Sequence, residues 1–146
     1  MSKFMKMLNN ISRSQAVFRR ARVTEDDLQA CQYAFVLAIC NHPGRSQEEL
    51  AEELCLNKST ITRSLAALEE RDYITRTPLP SDKRRLAVHP TARMLAVLPQ
   101  IKAASAEWMA LLSEGISEEE LAVFDSVLAR MQAKAKAILD SQEENA

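Results

Sequence analysis

The order of local patterns between Ser46 and Pro90 constrains the fold of this chain more than any other feature. Ser46 and Asn57 each precede a short segment with apolar residues at helical spacing, which predicts two capped helices separated by a tight turn. Two β-forming segments follow, residues 73–77 and 86–89, on either side of the basic stretch PLPSDKRR. This pair predicts an antiparallel hairpin with a long basic tip.

The second of these helices begins with polar residues, which is unusual for a helix that packs on a core. Ile61, Leu65 and Leu68 form its apolar stripe, and the opposite arc carries small or basic residues: Ser59, Thr62, Arg63 and Ala66. In a winged helix-turn-helix unit the second helix enters the DNA major groove by its N-terminal end. Short side chains let the backbone approach DNA, while the helix N-terminus offers N–H groups to phosphate. The pattern therefore predicts a winged helix-turn-helix that binds double-stranded DNA.

The predicted DNA contacts lie at the starts of both helices and at the tip of the hairpin: Ser46, Gln47, Asn57, Lys58, Ser59, Thr60, Thr62, Arg63, Lys83, Arg84 and Arg85. Basic side chains in this set can reach phosphate oxygens or guanine edges. For Ser59, Thr60 and Thr62, simple helix capping is the alternative interpretation. For Lys83 and Arg85, the alternative is a solvated charge without a partner.

Helical segments flank this unit on both sides. Residues 4–18 repeat apolar side chains at helical spacing, and the pattern TEDD, beginning at Thr24, predicts the start of a second helix by a capping box. After the hairpin, Pro90 or Thr91 is expected to open a long helix that stops at Gly115.

Ser117 is expected to open the last helix, whose apolar residues are spaced alternately three and four apart: Leu121, Phe124, Leu128, Met131, Ala135 and Ile138. This heptad pattern predicts a helix packed lengthwise on another helix. We therefore predict a mostly α fold, a winged helix-turn-helix with a two-stranded β wing and long N- and C-terminal dimerisation helices. It would form a single domain over residues 1–146, with the DNA-binding lobe at 24–90 and the helical dimerisation region at 1–23 and 91–146.

Charge is distributed unevenly along a chain whose net charge is only −1. Residues 1–22 carry six basic and no acidic side chains, and residues 57–85 carry seven basic against four acidic ones. Residues 106–146 carry nine acidic against three basic side chains. This segregation predicts one end that faces a polyanion and one that is repelled by it, with ordinary solvated charge as the alternative for the acidic end.

Several function classes find no support in the sequence. The longest apolar run, residues 33–40, is too short to span a bilayer, and no secretion signal is recognisable, so we expect a cytoplasmic protein. No nucleophile–base pair, Gly-rich phosphate loop or carboxylate cluster indicates an enzyme or a cofactor. The cysteines (Cys31, Cys40 and Cys55) and the two histidines lack a metal-binding spacing. We expect Cys31 and Cys40 to be packing residues of an apolar helix, with a redox-active cysteine as the alternative.

Over residues 46–91 the chain resembles the MarR family of bacterial winged-helix repressors. The stretch PSDKRRLAV resembles the family's wing, and KSTITRSLAALEERDYITR is similar to its recognition helix and first wing strand. The resemblance implies that Asp82 braces Arg84 and that Arg84 enters the DNA minor groove. The family usually continues with a Leu-Thr pair and a Gly, where this chain has a Pro-Thr pair and Met94, a departure that bears on wing orientation and on the start of the next helix.

The resemblance also implies a homodimer, with helix 57–71 and wing 73–89 of each subunit binding one half of a pseudo-palindromic operator. Such a repressor would be released by a small aromatic or anionic ligand bound between the dimer helices and the DNA-binding lobe. The candidate lining residues are aromatic: Phe18, Tyr33, Phe35 and Trp108. Core packing is the alternative for all four. The alternative functions are a winged-helix module that binds a protein instead of DNA, and a cysteine-based redox-sensing repressor.

Overall fold

A computed structural model describes residues 2–25 and 27–145 of the chain. Its elements, in order, are α1 (Lys3–Arg20), a 3-10 turn (Ala30–Gln32), α2 (Tyr33–Asn41), α3 (Gln47–Glu53), α4 (Lys58–Glu70), β1 (Ile74–Pro78), β2 (Leu86–Pro90), α5 (Ala92–Leu112) and α6 (Glu118–Glu144). The two strands pair antiparallel, with Ile74 opposite Pro90 and Pro78 opposite Leu86. This architecture confirms the predicted mostly helical winged helix-turn-helix. None of the described helices is long and apolar enough to cross a lipid bilayer.

Three of the predicted helix starts are confirmed by the hydrogen bonds of their caps. The Ser46 hydroxyl accepts from the Glu49 N–H at 3.2 Å, at the start of α3. The Asn57 side chain accepts from the Thr60 N–H at 2.8 Å, at the start of α4. Ser117 forms a reciprocal capping box at the start of α6. In each case a short polar side chain satisfies an N–H group that has no partner within the helix.

The predicted helix start at Thr24 is wrong. The Thr24 N–H and hydroxyl both donate to the Gln100 side-chain oxygen, at 2.9 and 3.0 Å, so this residue is anchored to α5 and caps no helix. Part of the predicted capping box, Asp26, lies outside the described residues. The second helical segment begins instead with the 3-10 turn, where Gln29 and Gln32 form a capping box, and α2 starts at Tyr33.

The described residues form two compact units, one ending at Trp108 and the other beginning at Met109. The first unit has an apolar core to which α2, α4 and the wing contribute fully buried side chains, among them Tyr33, Leu65 and Val88. The second unit contains the end of α5 and all of α6, and much of its apolar surface is exposed. The predicted division into a DNA-binding lobe and a dimerisation region stays a prediction.

The wing is held to the start of α3 by backbone hydrogen bonds. Ser46 forms an isolated antiparallel bridge with Ala87. Val88 forms two backbone hydrogen bonds of 2.8 Å with the segment that precedes α3: its N–H donates to the Arg45 carbonyl, and its carbonyl accepts from the Gly44 N–H. Gly44 has φ +88°, and a Cβ atom there would approach the His89 ring to 3.1 Å. A glycine is therefore required where this segment passes the second wing strand.

The junction between the wing and α5 is cross-linked to the end of α4. The Arg93 guanidinium donates to Glu25 at 3.1 Å, to Asp27 at 2.8 Å and to the Arg71 carbonyl, and it lies 4.4 Å from the centre of the Tyr73 ring. The Tyr73 hydroxyl donates to Asp27, which holds the pKa of that carboxyl below its usual value. These contacts bind the residues after α4 to the first turn of α5.

At this junction the chain has Pro90, Thr91 and Met94 in place of the usual family residues, and all three have defined places in the structure. Pro90 is the last residue of β2, and the Thr91 hydroxyl lies within hydrogen-bonding distance of the Asp72 and Tyr73 carbonyls, at 2.6 and 3.0 Å. Met94 is fully buried in the core. The helix itself starts at Ala92, one or two residues after the predicted position.

Candidate nucleic-acid interface

The two faces of α4 are divided as the sequence predicts. Ile61, Leu65 and Leu68 are buried, and the opposite arc is exposed along its length: Ser59, Thr62, Arg63 and Ala66. The Ser59 hydroxyl donates to the Asn57 side chain at 3.0 Å, and the Thr62 hydroxyl donates to the Lys58 carbonyl at 2.8 Å. These hydroxyl protons are therefore engaged within the helix, while their oxygens remain on the exposed arc as acceptors.

Two cations on α4 are exposed and have no ion pair among the described residues. Lys58 is the first residue of the helix, and Arg63 lies on the outward arc just over one turn further along. Because the helix N-terminus also carries positive partial charge, this end of α4 attracts anions. Its geometry suits phosphate contacts from Lys58 and a longer reach from Arg63.

The tip of the wing presents a second pair of cations. The Arg84 side chain is 93% exposed, and Lys83 beside it is also exposed. Asp82 accepts from the Arg84 N–H at 3.1 Å and lies 3.5 Å from its Nε, which is the contact implied by the family resemblance. An exposed pair of this kind is screened by water, so its effect is to limit the conformations of the tip rather than to stabilise the fold.

Ser46 and Arg85, both predicted to contact DNA, bind each other in the structure. Ser46 is 0% exposed, and its hydroxyl accepts from Arg85 Nη2 at 2.8 Å, so the prediction that this side chain contacts DNA is wrong. The Arg85 guanidinium also lies 3.5 Å from the Glu48 carboxylate and 3.9 Å from that of Glu49. Arg85 is therefore neither unpaired nor freely solvated, because it joins the second wing strand to the first turn of α3.

Sequence reasoning missed Arg76, which lies on β1 and whose side chain binds residues of both α3 and α4. Its Nε and Nη2 atoms donate to the two oxygens of Glu69 at 3.2 and 3.1 Å, and Nη1 donates to the Gln47 side-chain oxygen at 2.9 Å. The hydrogen bond from Arg76 holds the pKa of the Glu69 carboxyl below its usual value. One guanidinium thus connects α3, α4 and the wing.

The four aromatic residues proposed as ligand contacts separate into two groups. Tyr33 and Phe35 are buried in the core, as the alternative interpretation had it. Phe18 and Trp108 are partly exposed, with ring centres 5.2 Å apart, and the Arg22 guanidinium lies 3.4 Å from the centre of the Phe18 ring. Among the described residues, the buried Tyr33 hydroxyl has no hydrogen-bond partner.

The cysteines differ in their surroundings. Cys31 lies in the 3-10 turn and is exposed, so the prediction that it packs inside an apolar helix is wrong. Cys40 is partly buried, and this burial raises the pKa of its thiol, which keeps the thiol protonated. Cys55 is exposed in the turn before α4. In the part of the chain that the structure describes, no three His, Cys, Asp or Glu side chains are grouped to hold a metal ion.

The fold and the exposed arc of α4 beside a basic wing define the class of protein, a winged-helix transcriptional regulator. The family model of the MarR family matches residues 28–86. The transcriptional regulator HosA of Escherichia coli O111:H- is 35% identical over 99 residues, which cover 65% of this chain and 72% of HosA. A crystal structure of MarR is 30% identical with a TM-score of 0.75, and the match covers 97% of this chain and 98% of that one. The chain belongs to the MarR family.

A solved complex with DNA has the same fold. A MarR-family transcriptional regulator from Listeria monocytogenes, complexed with a 26mer DNA, is 20% identical to this chain with a TM-score of 0.84. The match covers 94% of this chain and 91% of the Listeria protein.

Proposed function

We propose that this protein is a homodimeric repressor that binds a pseudo-palindromic operator through α4 and the wing. The observation that carries this proposal is the pair of exposed cations on α4, Lys58 and Arg63, for which the described part of the chain offers no ion pair, together with the 93% exposed Arg84 at the wing tip. The helix has its N-terminal end and outward arc available for the major groove, and the wing tip suits the adjacent minor groove. The Listeria relative, which has the same fold, is known in a complex with DNA.

The exposed apolar residues at the two ends of the chain support a homodimer. On α6 they include Val123, Phe124, Met131 and Ile138, and on α1 they include Met5, Ile11 and Val17. The heptad spacing on α6 is the pattern of a helix that packs on a second helix. A second copy of the chain would cover these residues in an interface of about 2,000 Å² or more. Two copies related by a two-fold axis would present two α4 helices to the two halves of an operator.

A small aromatic or anionic ligand is proposed as the signal that releases the repressor. The partly exposed Phe18 and Trp108 rings form an aromatic surface, and the Arg22 guanidinium beside Phe18 is paired with Glu107 at 2.9 Å, so an anionic ligand would have to compete with that carboxylate. A ligand that weakens operator binding must itself be weakened by operator DNA by the same factor, typically ~5–150-fold. A compound with equal affinity for free and DNA-bound protein is therefore not the inducer, however tightly it binds.

The experiment that tests the proposal is a titration of the full-length protein with DNA from upstream of its own gene. We expect a mobility shift that an excess of scrambled DNA, at a fixed salt concentration, displaces only poorly. Footprinting should then show two symmetric half-sites. Sedimentation should show a dimer at micromolar concentration, and deletion of residues 117–146 should yield a monomeric or insoluble product. A folded, full-length monomer would contradict the homodimer.

The two other candidate functions predict different outcomes in the same assays. A protein-interaction module would fail to select any upstream sequence over scrambled DNA. A redox-sensing repressor would release DNA on treatment with peroxide, and replacement of Cys31 or Cys40 would abolish that release. The exposed Cys31 thiol is the more accessible of these two.

A further inference from the structure

We propose that Arg76 is a positioning residue for DNA binding, which turns the side-chain amide of Gln47 so that its NH₂ group faces a DNA phosphate. This inference rests on the proposed function, because it requires that α3 and α4 approach an operator. It concerns a residue that does not itself contact DNA. Its basis is the set of hydrogen bonds among Arg76, Gln47 and Glu69.

The orientation of the Gln47 amide follows from the chemistry of its partner. A guanidinium group donates hydrogen bonds and accepts none, so the atom of Gln47 that lies 2.9 Å from Arg76 Nη1 must be the amide oxygen. The amide nitrogen is on the other side of the same planar group. Gln47 is partly exposed at the first position of α3, and its NH₂ has no partner among the described residues. Two donors of a partly exposed side chain are thus left for a ligand.

The position of these donors indicates a phosphate as their acceptor. They lie on a residue that Arg76 of the wing connects to Glu69 of α4, and α4 and the wing are the two elements of the proposed interface. Gln side chains are among the groups that commonly donate to phosphate oxygens and so fix the register of a protein on DNA. Glu48 and Glu49, the acidic neighbours in the same turn, lie near Arg85, which offsets their repulsion of DNA.

The guanidinium of Arg76 is itself poorly suited to contact DNA. Its side chain is only 16% exposed, and two of its nitrogens are taken up by the Glu69 carboxylate. A bidentate pair fixes the plane of the guanidinium, and that plane in turn fixes the direction of the third hydrogen bond to Gln47. Lysine cannot replace this arrangement, because its ammonium group is not a planar fork.

The test compares four variants of the full-length protein with wild type: Gln47→Ala, Arg76→Lys, the double variant, and Gln47→Glu. Operator and scrambled DNA are titrated at several salt concentrations, and thermal melting is recorded for each protein. Arg71→Lys is the matched control, since Arg71 is also a partly buried arginine beyond α4 and donates to the Asp27 carbonyl instead. We expect the control to bind the operator within about twofold of wild type.

Gln47→Ala should weaken operator binding roughly 2- to 10-fold per subunit, the range of a single lost hydrogen bond. Arg76→Lys should weaken operator binding when Gln47 is present and weaken it much less in the Gln47→Ala background, because the two residues act through one contact. The salt dependence should stay unchanged in both, since neither variant removes a positive charge. Gln47→Glu keeps an acceptor for Arg76 but places a carboxylate near phosphate, so it should bind DNA more weakly than Gln47→Ala while melting at or above the wild-type temperature.

Two results would overturn the inference. One is an equal effect of Arg76→Lys in both backgrounds, and the other is wild-type affinity in Gln47→Glu. If Arg76→Lys fails to fold, the Gln47→Glu result alone decides whether a phosphate lies at this position. Failure of the wild-type protein to select any operator would instead overturn the proposed function, which keeps the two failures distinct.

Discussion

Arg63 on α4 and Arg76 on β1 carry the same side chain in opposite surroundings. Arg63 is exposed and has no ion pair among the described residues, whereas Arg76 is largely covered and binds both Glu69 and Gln47. The wing repeats this contrast: the Arg84 side chain is 93% exposed at the tip, and Arg85, one residue on, is 41% exposed and joined to α3.

This difference separates two uses of arginine near an interface. A guanidinium that reads DNA must keep its donors free for the ligand, because donors already satisfied by the protein contribute little to binding. A guanidinium that positions other groups must have its donors satisfied within the protein, because only then is its orientation fixed. Substitutions of the two kinds should therefore affect different quantities, DNA selectivity in one case and the geometry or stability of the wing in the other.

The largest effect on DNA selectivity is expected from Arg63→Ala. Loss of a bidentate contact to a guanine edge should cost about 1–3 kcal/mol on the operator and flatten the base preference at one major-groove position of each half-site. The melting temperature should not change, because the side chain is exposed. Fluorescence anisotropy with operator and scrambled DNA checks this, and an unchanged ratio of the two affinities would mean that α4 does not read the sequence.

Arg84→Ala is expected to have the next largest effect, confined to the edges of the operator. A narrow A·T-rich minor groove attracts a guanidinium without distinguishing A·T from T·A, so discrimination should loosen only at flanking A·T-rich steps. Asp82→Ala should reproduce part of this loss, since an unbraced tip must be ordered on binding. Titrations against operators with altered flanks measure both, and an equal loss on G·C-flanked sites would contradict minor-groove binding.

Lys58→Ala should weaken binding to all sequences alike. A phosphate contact carries no sequence information, but its loss should reduce the slope of log affinity against log salt by about one per subunit. Titrations of operator and scrambled DNA over a range of salt concentrations give this slope. If the operator alone is affected, Lys58 contacts a base instead.

The smallest effect is expected in the pH dependence of stability, and it concerns the paired arginine. The Arg76 hydrogen bond holds the pKa of Glu69 below its usual value of 4.5. A carboxyl with a lowered pKa contributes stability that is present above the unfolded-state pKa and lost as the pH falls through the folded-state value. Below about pH 4.5 the wild-type melting temperature should fall more steeply than that of Glu69→Gln. Asp27, whose pKa is also lowered, is present in both proteins and contributes equally to both. Parallel curves of melting temperature against pH would therefore show that Glu69 contributes nothing.

What the sequence predicts well depends on short-range patterns. The buried stripe and exposed arc of α4 follow from helical periodicity, and the caps Ser46, Asn57 and Ser117 each bond an N–H group only three residues away. The resemblance to MarR proteins also led to the contact between Asp82 and Arg84, which are two residues apart.

What the sequence could not predict depends on partners that are far apart along the chain. Thr24 looked like a cap, but its polar groups bind Gln100, 76 residues later. Ser46 was correctly identified as a cap, but its burial and its hydrogen bond from Arg85, 39 residues later, could not be read from the local pattern. The contact of Arg76 with Gln47 spans 29 residues, and no local periodicity indicates it.

The hydrogen bonds around Arg93 connect the start of α5 directly to the end of α4. Arg93 and Thr91 bind the residues that follow α4, the Tyr73 hydroxyl donates to the Asp27 carboxylate, and Arg71 donates to the Asp27 carbonyl. Because these hydrogen bonds join the start of α5 to the residues at the end of α4, we expect a displacement of one to be transmitted to the other.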